Sequence, residues 1–449
     1  MVQKERIAIF SIALIMAFRM LSMFMILPIF SIAAIHLPGA TPTLIGFALG
    51  IYGLAQACLQ LPLGRLSDKI GRITVITGGL VLLAIGSLIA ALSHSIYGII
   101  IGRAIQGTGA VGSTLLALAA DLSRDEHRSK AMATLGLTIG LSFALALILG
   151  PAISHYLGLQ GIFWTAFGFS IIALIMLHTI VPHPPSLTLS KDTGFKSIQL
   201  DNVLKNMELN RLHFGIFSLH AILTATFIAT PVLLSQQLAL SSAKQALLYF
   251  LIIVTSFLLM LPFIIIGEKK RQLKRVFIGA ITTIAISQIS LQYIHNSTLS
   301  TALSLLLFFT AFTLLEAILP SLVSKTAPIK AKGTAMGLYS SAQFLGIFIG
   351  GSVGGLLFSH GHINGVFIFC SAIAAVWLII TARMQPPPYF TTCLFPLKST
   401  PAAGIEQIEQ RLIQHPGITE VAYLDQSVLY VKADLQQVSK KTIERLLTE

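Results

Sequence analysis

The sequence predicts an all-α polytopic membrane protein of twelve transmembrane helices, followed by a small α+β domain at its C-terminal end. Three observations carry that prediction. Hydrophobic residues make up 55% of the 449 and charged residues only 10%, against about 25% charged in a water-soluble domain, which leaves too little polar surface to cover a body in water. The apolar residues are gathered into twelve segments, each near the ~20 residues a helix needs to cross a bilayer. Beyond Met384 the apolar runs stop and the composition becomes that of a soluble domain.

The segments fall near residues 7–35, 43–64, 73–93, 96–121, 131–157, 160–182, 212–236, 244–266, 276–294, 299–324, 333–358 and 362–382. The first follows Lys4 and Arg6, as a secretory leader would. Its apolar run from Ile7 to Ile35 is much longer than the leader core of about 7–15 residues, so it is expected to stay as the first span. An even count puts both termini on one side, and Lys and Arg decide which side that is. Between Met1 and residue 382, the N-terminus and the loops after even-numbered spans hold twenty of them, from Lys4 to Lys332; the loops after odd-numbered spans hold one, Lys244. Both termini are therefore expected in the cytoplasm. The same asymmetry accounts for the net charge of +13 by orientation in a lipid bilayer, with no need of a nucleic-acid partner. Cys58, Cys370 and Cys393 are scattered without a CxxC, which predicts neither a metal site nor a disulfide framework. Cys58 and Cys370 are expected to be packing residues.

The longest loop, residues 183–211, is polar and opens with Pro184-Pro185. It divides the chain into an N-terminal six-helix bundle at 1–182 and a second at 212–384. A linker and candidate first strand follow at 385–403, and the rest of the tail domain at 404–449. The halves look alike: Gly136-Leu137, Phe143 and Gly150 recur 201 residues later as Gly337-Leu338, Phe344 and Gly351. Duplicated halves around a central site are a common membrane-protein plan.

The loop after span two reads Gly64-Arg65-Leu66-Ser67-Asp68-Lys69-Ile70-Gly71-Arg72. Asp68 stands at a helix end where an acid needs a partner. Arg72, one turn on, can reach it, and Asp121 at the same end of span four can join as a second acid. Such a cluster can latch two helices in one state and release them in another, and Gly64 and Gly71 are expected to allow close helix approach. The equivalent loop of the second half, Gly267 to Arg275, keeps the charge and loses the pattern, so a weaker latch is expected there. Other marked stretches are Arg103-Ala104-Ile105-Gln106-Gly107 in span four, Gly150-Pro151 in span five and the glycine-rich Gly346 to Gly355 in span eleven, read as tight helix packing.

The first of these loops resembles the signature GxLaDrxGrk of the major facilitator superfamily. The span-four stretch resembles its RxxQG motif. Gly150-Pro151 resembles the end of its antiporter motif GxxxGP, with Ala146 where that motif has a glycine. The resemblance implies the major facilitator fold: two pseudo-symmetric six-helix bundles rocking between inward-open and outward-open states. It implies a conformational role, not a substrate one, for Gly64, Asp68, Gly71, Arg72 and Asp121.

Four ionisable residues stand deep in the spans: Arg19 in span one, Arg103 in span four, His220 in span seven and Glu316 in span ten. At such depth each is a functional candidate by default. In the family that the sequence resembles these four spans line the central cavity, so the resemblance implies that all four residues belong to it. Glu316, flanked by leucine, alanine and isoleucine, is expected to carry a proton, with a structural pair to an arginine as the alternative. Arg19 and Arg103 are expected to attract an anionic group or to pair with Glu316. His220 reads either as a second proton carrier or as a satisfied interior histidine, and Arg103 as a positional residue or as part of proton coupling. Gln56, Gln106, Gln343 and Ser340 can complete the site. The sequence holds no GxxxxGK[ST] loop, metal-ligand cluster or nucleophile motif within the spans, so neither an enzyme nor a cofactor is expected.

Pro386-Pro387-Pro388 marks a stiff boundary. After it, residues 391–397 read as a strand and 404–415 as an amphipathic helix with Ile405, Ile408, Leu412 and Ile413 on one face. Residues 418–424 and 427–431 read as a strand pair turned by Asp425-Gln426, and 436–448 as a last helix. The order βαββα is that of a ferredoxin-like domain. This tail, with the run Arg19 to Pro28 and the stretches Gly333 to Gly337 and Gln343 to Gly346, is similar to the YajR-type branch of the superfamily over essentially the whole chain. That resemblance implies a multi-pass protein of the bacterial inner membrane. It would move a small-molecule substrate by alternating access, driven by protons and in the export direction. Without a CxxC, the tail is expected to serve self-association or a ligand, not metal delivery. The alternative reading is a transporter-fold sensor acting through its tail.

Overall fold

The computed structural model describes residues 3–123, 125–182, 197–294, 297–386, 389–396, 405–425 and 428–448. Pro184-Pro185, Pro387-Pro388 and the turn residue Gln426 lie outside the described residues. The helices are α1 (Gln3–Phe24), α2 (Phe30–Ala33), α3 (Pro42–Ile70), α4 (Arg72–Leu92), α5 (Ile96–Thr108), α6 (Gly112–Asp121), α7 (Asp125–Thr179), α8 (Ser197–Lys205), α9 (Met207–Val232), α10 (Ser242–Lys269), α11 (Leu273–Tyr293), α12 (Thr298–Thr326) and α13 (Lys332–Ala382). By length and composition, eleven helical stretches among the described residues can cross a membrane. One of them, Lys130–Thr179, is two crossings joined at Gly158, whose backbone turns to φ 67°. The twelve crossings form two six-helix bundles. The two faces of the body differ: one, here the basic face, carries the ends of α3, α6, α10 and α12, and the other is the opposite face.

Four helices that start from the opposite face, α3, α5, α10 and α12, begin at hydroxyl caps. The side chains of Thr41, Ser95, Ser241 and Ser297 accept from the amides of Leu44, Gly98, Lys244 and Ser300, which satisfies an amide that the first helical turn leaves without a partner. Span seven starts at Met207, earlier than hydropathy places it, because Asn206 caps the amides of Glu208 and Leu209.

Two expected spans are interrupted. The first is not one helix to Ile35: α1 stops at Phe24, turns occupy residues 25–29, and α2 follows. Pro28 has no amide to continue the ladder, and Leu27 instead bonds Phe24 in a tighter turn. Span four breaks between α5 and α6, where the amides of Gly109 and Val111 bond Gln106 and Gly109.

Glycines set the helix contacts. A Cβ on Gly351 would stand 2.6 Å from the Gly46 carbonyl, so spans two and eleven touch backbone to backbone across the two halves. Within the first half a Cβ on Gly150 would stand 2.1 Å from the Met25 carbonyl; within the second, one on Gly350 would stand 2.2 Å from the Ala221 carbonyl. The same crossing, span five on one and span eleven on seven, is thus built twice. An aromatic cluster of Phe24, Phe143, Phe309 and Phe312 also bridges the halves. Cys370 is buried, but Cys58 is exposed on its helix surface and is not the packing residue expected.

The tail folds as β1 (Thr391–Pro396), α14 (Ile405–Ile413), β2 (Ile418–Asp425), β3 (Val428–Ala433) and α15 (Lys440–Thr448). Its antiparallel sheet has the order β1-β3-β2, the arrangement of a ferredoxin-like domain. Cys393, Val421 and Val431 of the sheet share a core with Ile408, Leu412 and Ile443 of the helices. The tail docks on the basic face of the second half. Arg271 Nη2 reaches Asp434 Oδ1 at 2.6 Å, the Ile329 amide donates to Glu420 at 2.9 Å and Lys432 Nζ donates to the Ala327 carbonyl at 3.0 Å. Burial alone would push the Asp434 carboxyl up. The Arg271 guanidinium and the Gln436 amide outweigh it and hold the group below the usual carboxylate range.

Candidate functional site

The loop cluster after span two is assembled. Gly71 ends α3 at φ 99°, a backbone conformation that favours glycine. This turn brings Arg72 back over the helix end, where it forms an ion pair with Asp68 and a second, at 3.1 Å, with Asp121 of α6. Arg72 also donates to Ser67 Oγ at 2.6 Å, and Ser67 in turn donates to the Gly64 carbonyl. Gly64 and Gly71 are not points of close helix approach: added Cβ atoms would meet only Ser113 and Thr74 hydroxyls, each at 3.8 Å. The close approaches belong to the glycines facing span eleven. In the second half Glu268, at the end of α10, pairs with Lys325 near the end of α12 at 2.7 Å. At the pseudo-equivalent helix ends the acid of α3, Asp68, has its counterpart in Glu268, while Asp121 of α6 has a cation, Lys325, in its place, so the second pair closes directly without an arginine between two acids. Glu268 falls in the stretch expected to carry a weaker latch; its partner Lys325, at the end of another helix and outside any motif, is supplied only by the structure.

Inside the first half a buried polar network joins spans one to four. Arg19 Nη2 donates to Gln56 Oε1 at 2.9 Å, and Gln56 Nε2 donates to the Tyr52 hydroxyl at 3.0 Å. The Arg103 guanidinium lies 4.6 Å from the centre of the Tyr52 ring. Arg103 Nη1 donates to Gln106 Oε1 at 3.1 Å, and Gln106 Nε2 donates to Ser87 Oγ at 2.8 Å. Tyr52 and Ser87 are absent from the sequence reading: an aromatic or hydroxyl in a span carries no signal of its own. Among the described residues no acid lies within ion-pair distance of either arginine.

Inside the second half the charge is of the other sign. His220 is buried on span seven, with the Gln343 amide 2.8 Å from its Nε2 and Glu316 Oε2 3.9 Å from the same nitrogen. The Phe312 ring packs edge-on against the imidazole. The Glu316 side chain is 35% exposed, yet its Oε2 is buried without a hydrogen-bond partner. The structure therefore brings Arg19, Gln56, Arg103 and Gln106 into one network and His220, Glu316 and Gln343 into another. Among the described residues no ion pair links the two. An arginine as the partner of Glu316 was one expectation; its neighbour is His220.

Twelve crossings in two glycine-stitched bundles, with polar groups in the interior of each, are the frame of a membrane transporter built as two repeats. The sequence model of the Major Facilitator Superfamily matches residues 12–351 and, in a second placement, 212–394, and the chain belongs to that family. It is 40% identical to the inner membrane transport protein YajR of Escherichia coli (strain K12), over 99% of this chain and 98% of that one. It is 35% identical to an uncharacterized transporter of Buchnera aphidicola subsp. Baizongia pistaciae, over 83% and 95%. Among solved structures, a D-xylose-proton symporter superposes with a TM-score of 0.67 at 16% identity, covering 85% of this chain and 97% of that chain. The human organic anion transporter MFSD10 superposes with a TM-score of 0.59 at 19% identity, covering 84% and 99%. At these identities the structures speak for the fold alone.

Proposed function

We propose that this membrane transporter is a proton-coupled exporter of a small solute, working by alternating access in a bacterial inner membrane with both termini in the cytoplasm. The observation that carries the proton is Glu316: a carboxylate in the interior of span ten, partly accessible, with a histidine and, among the described residues, no lysine or arginine beside it. An acid inside a span that is partly accessible and has no counter-charge among the described residues can take up and release a proton, which suits a coupling role. His220 and Gln343 stand where they can take up or stabilise that proton. Arg72, clasped between Asp68 and Asp121, would hold the ends of spans two and four together in one state and let them part in another. The Lys and Arg asymmetry supports the orientation, and Gly150-Pro151 supports export.

The test is flux in proteoliposomes of a radiolabelled panel containing glutamate, citrate and ethidium. Movement that follows an imposed pH gradient in the wild type and ignores it in Glu316→Gln supports the assignment. Gradient-driven flux of equal rate in that variant would remove Glu316 from the mechanism. The tail, docked on loops of the second half through Arg271, Ala327 and Ile329, is read as a regulator of that half's movement.

A further inference from the structure

We infer that the break in span four is an anion site, in which the first turn of α6 and the Arg19 guanidinium together hold one carboxylate of the transported solute. The inference rests on the transport reading and gives it a substrate class.

α6 begins in the interior of the first half, ten residues long, with Val111 at its start and no side chain capping it. The amides of Gly112, Ser113 and Thr114 have no backbone acceptor among the described residues. Free first-turn amides and the aligned peptide dipoles make such an end a receptor for negative charge. What stands there instead is a cation. Arg19 Nη1 would be 3.1 Å from a Cβ placed on Gly112, Arg19 is 2% exposed, and its Nε has no partner. A guanidinium against the positive end of a helix has the unfavourable polarity, and a buried charge without a counter-charge is strongly destabilising. One anion between the two reverses both effects.

The surroundings fit that anion. Thr114 Oγ1 and Ser113 Oγ, on the same turn, are buried and without partners. Gln56 takes a single nitrogen of the guanidinium, so the fork keeps donors for a carboxylate, whose two oxygens match its geometry. Gly112 leaves the approach open, since any side chain there would press on Arg19. The charge count sets the valence at one: Arg103 is turned to the Ala48 carbonyl, Gln106 and the Tyr52 ring. Half-helix N-termini at mid-membrane serve anionic substrate groups in other transporter architectures, and a broken span four supplies one here.

The experiment is thermal denaturation of the full-length purified protein in lipid nanodiscs. The probes are benzoate and hexanoate, their neutral counterparts benzamide and hexanamide, and chloride and phosphate at matched ionic strength. A carboxylate is expected to raise the midpoint saturably, with no rise from the amide of the same shape. Arg19→Gln is expected to weaken that effect at least tenfold while leaving the midpoint of the unliganded protein unchanged or higher, because an uncompensated charge has gone. Thr114→Val removes a hydroxyl donor and keeps the guanidinium; it is expected to weaken the carboxylate effect severalfold, and it decides the matter should Arg19→Gln fail to fold. Four results would overturn the inference: no carboxylate stabilises the protein, the amides do equally well, the inorganic anions give the same rise and so mark an adventitious ion only, or the carboxylate effect survives in Arg19→Gln. No gradient enters this measurement, so its failure is separate from failure of the proton reading.

Discussion

The two halves of the membrane body are packed alike and charged oppositely. Gly150 against Met25 and Gly350 against Ala221 are the same helix crossing made twice. The interiors those crossings enclose differ. The first half buries two guanidiniums among glutamines, a tyrosine and a serine. The second half holds one carboxylate beside a histidine and an amide. At the basic face the contrast recurs, with a cation between two acids in the first half and a single acid–lysine pair, Glu268 and Lys325, in the second. The difference teaches that the repeat is a repeat of packing. Each half keeps the backbone contacts that let helices cross and carries its own chemistry, so a site that needs both signs of charge is complete only between the halves.

Substitutions separate the packing shared by the halves from the chemistry each carries. The largest effects are expected where packing repeats. Gly150→Val and Gly350→Val each force a side chain into a carbonyl and should each cost about 3 kcal/mol or more. Both should abolish a monodisperse peak in size-exclusion chromatography, and loss in one variant alone would show that the crossings are not equivalent. Next come the interiors. Gln106→Ala leaves Arg103 and Ser87 short of a partner and should lower stability by about 1–3 kcal/mol while leaving coupling intact. His220→Ala unpairs Gln343 and should cost a similar ~1–3 kcal/mol, but it should add roughly a tenfold fall in gradient-driven flux, equivalent to ~1.4 kcal/mol, that Gln106→Ala does not show.

A smaller effect belongs to the tail. Because the Asp434 carboxyl is held below its usual range by Arg271, the stabilisation of docking is complete above that range, near pH 4, and is lost as the pH falls through the lower value of the docked state. Asp434→Asn should expose the tail to limited proteolysis at pH 7, and the wild type should behave the same way only in acid. The smallest stability change is expected at the basic face. The Asp68 and Asp121 pairs are solvent-accessible and worth ~0.5 kcal/mol. Asp68→Asn should leave the melting midpoint within about 2 °C and still shift the accessibility of single cysteines placed on the two faces, if the cluster is a latch.

Much of the architecture is legible in the sequence because burial in lipid demands long apolar runs and because Lys and Arg gather on one face. The tail is legible through its alternation and through Ile405, Ile408 and Leu412 at helical spacing. What hydropathy misses is where a run bends. The sequence from Ile7 to Ile35 is apolar throughout and yet broken near Pro28, and span four is broken at Gly109 with no proline to announce it. Depth picks out Arg19, Arg103, His220 and Glu316, since a charge in a span is rare. It does not say which of them meet. That depends on helix rotation, which is set by glycine contacts such as Gly46 with Gly351, distant in sequence. The missing partners, Tyr52, Ser87 and Thr114, are ordinary residues given meaning only by what lies beside them.

The proposed division of work between the halves puts the proton on Glu316 and the solute's charge at Arg19. It is tested most directly by flux in proteoliposomes, with wild type, Glu316→Gln and Arg19→Gln compared with and without an imposed pH gradient for a solute the wild type moves. On that division, Glu316→Gln is expected to exchange solute downhill but no longer respond to the gradient, and Arg19→Gln to lose both. Gradient-driven flux in Glu316→Gln at the wild-type rate would contradict it.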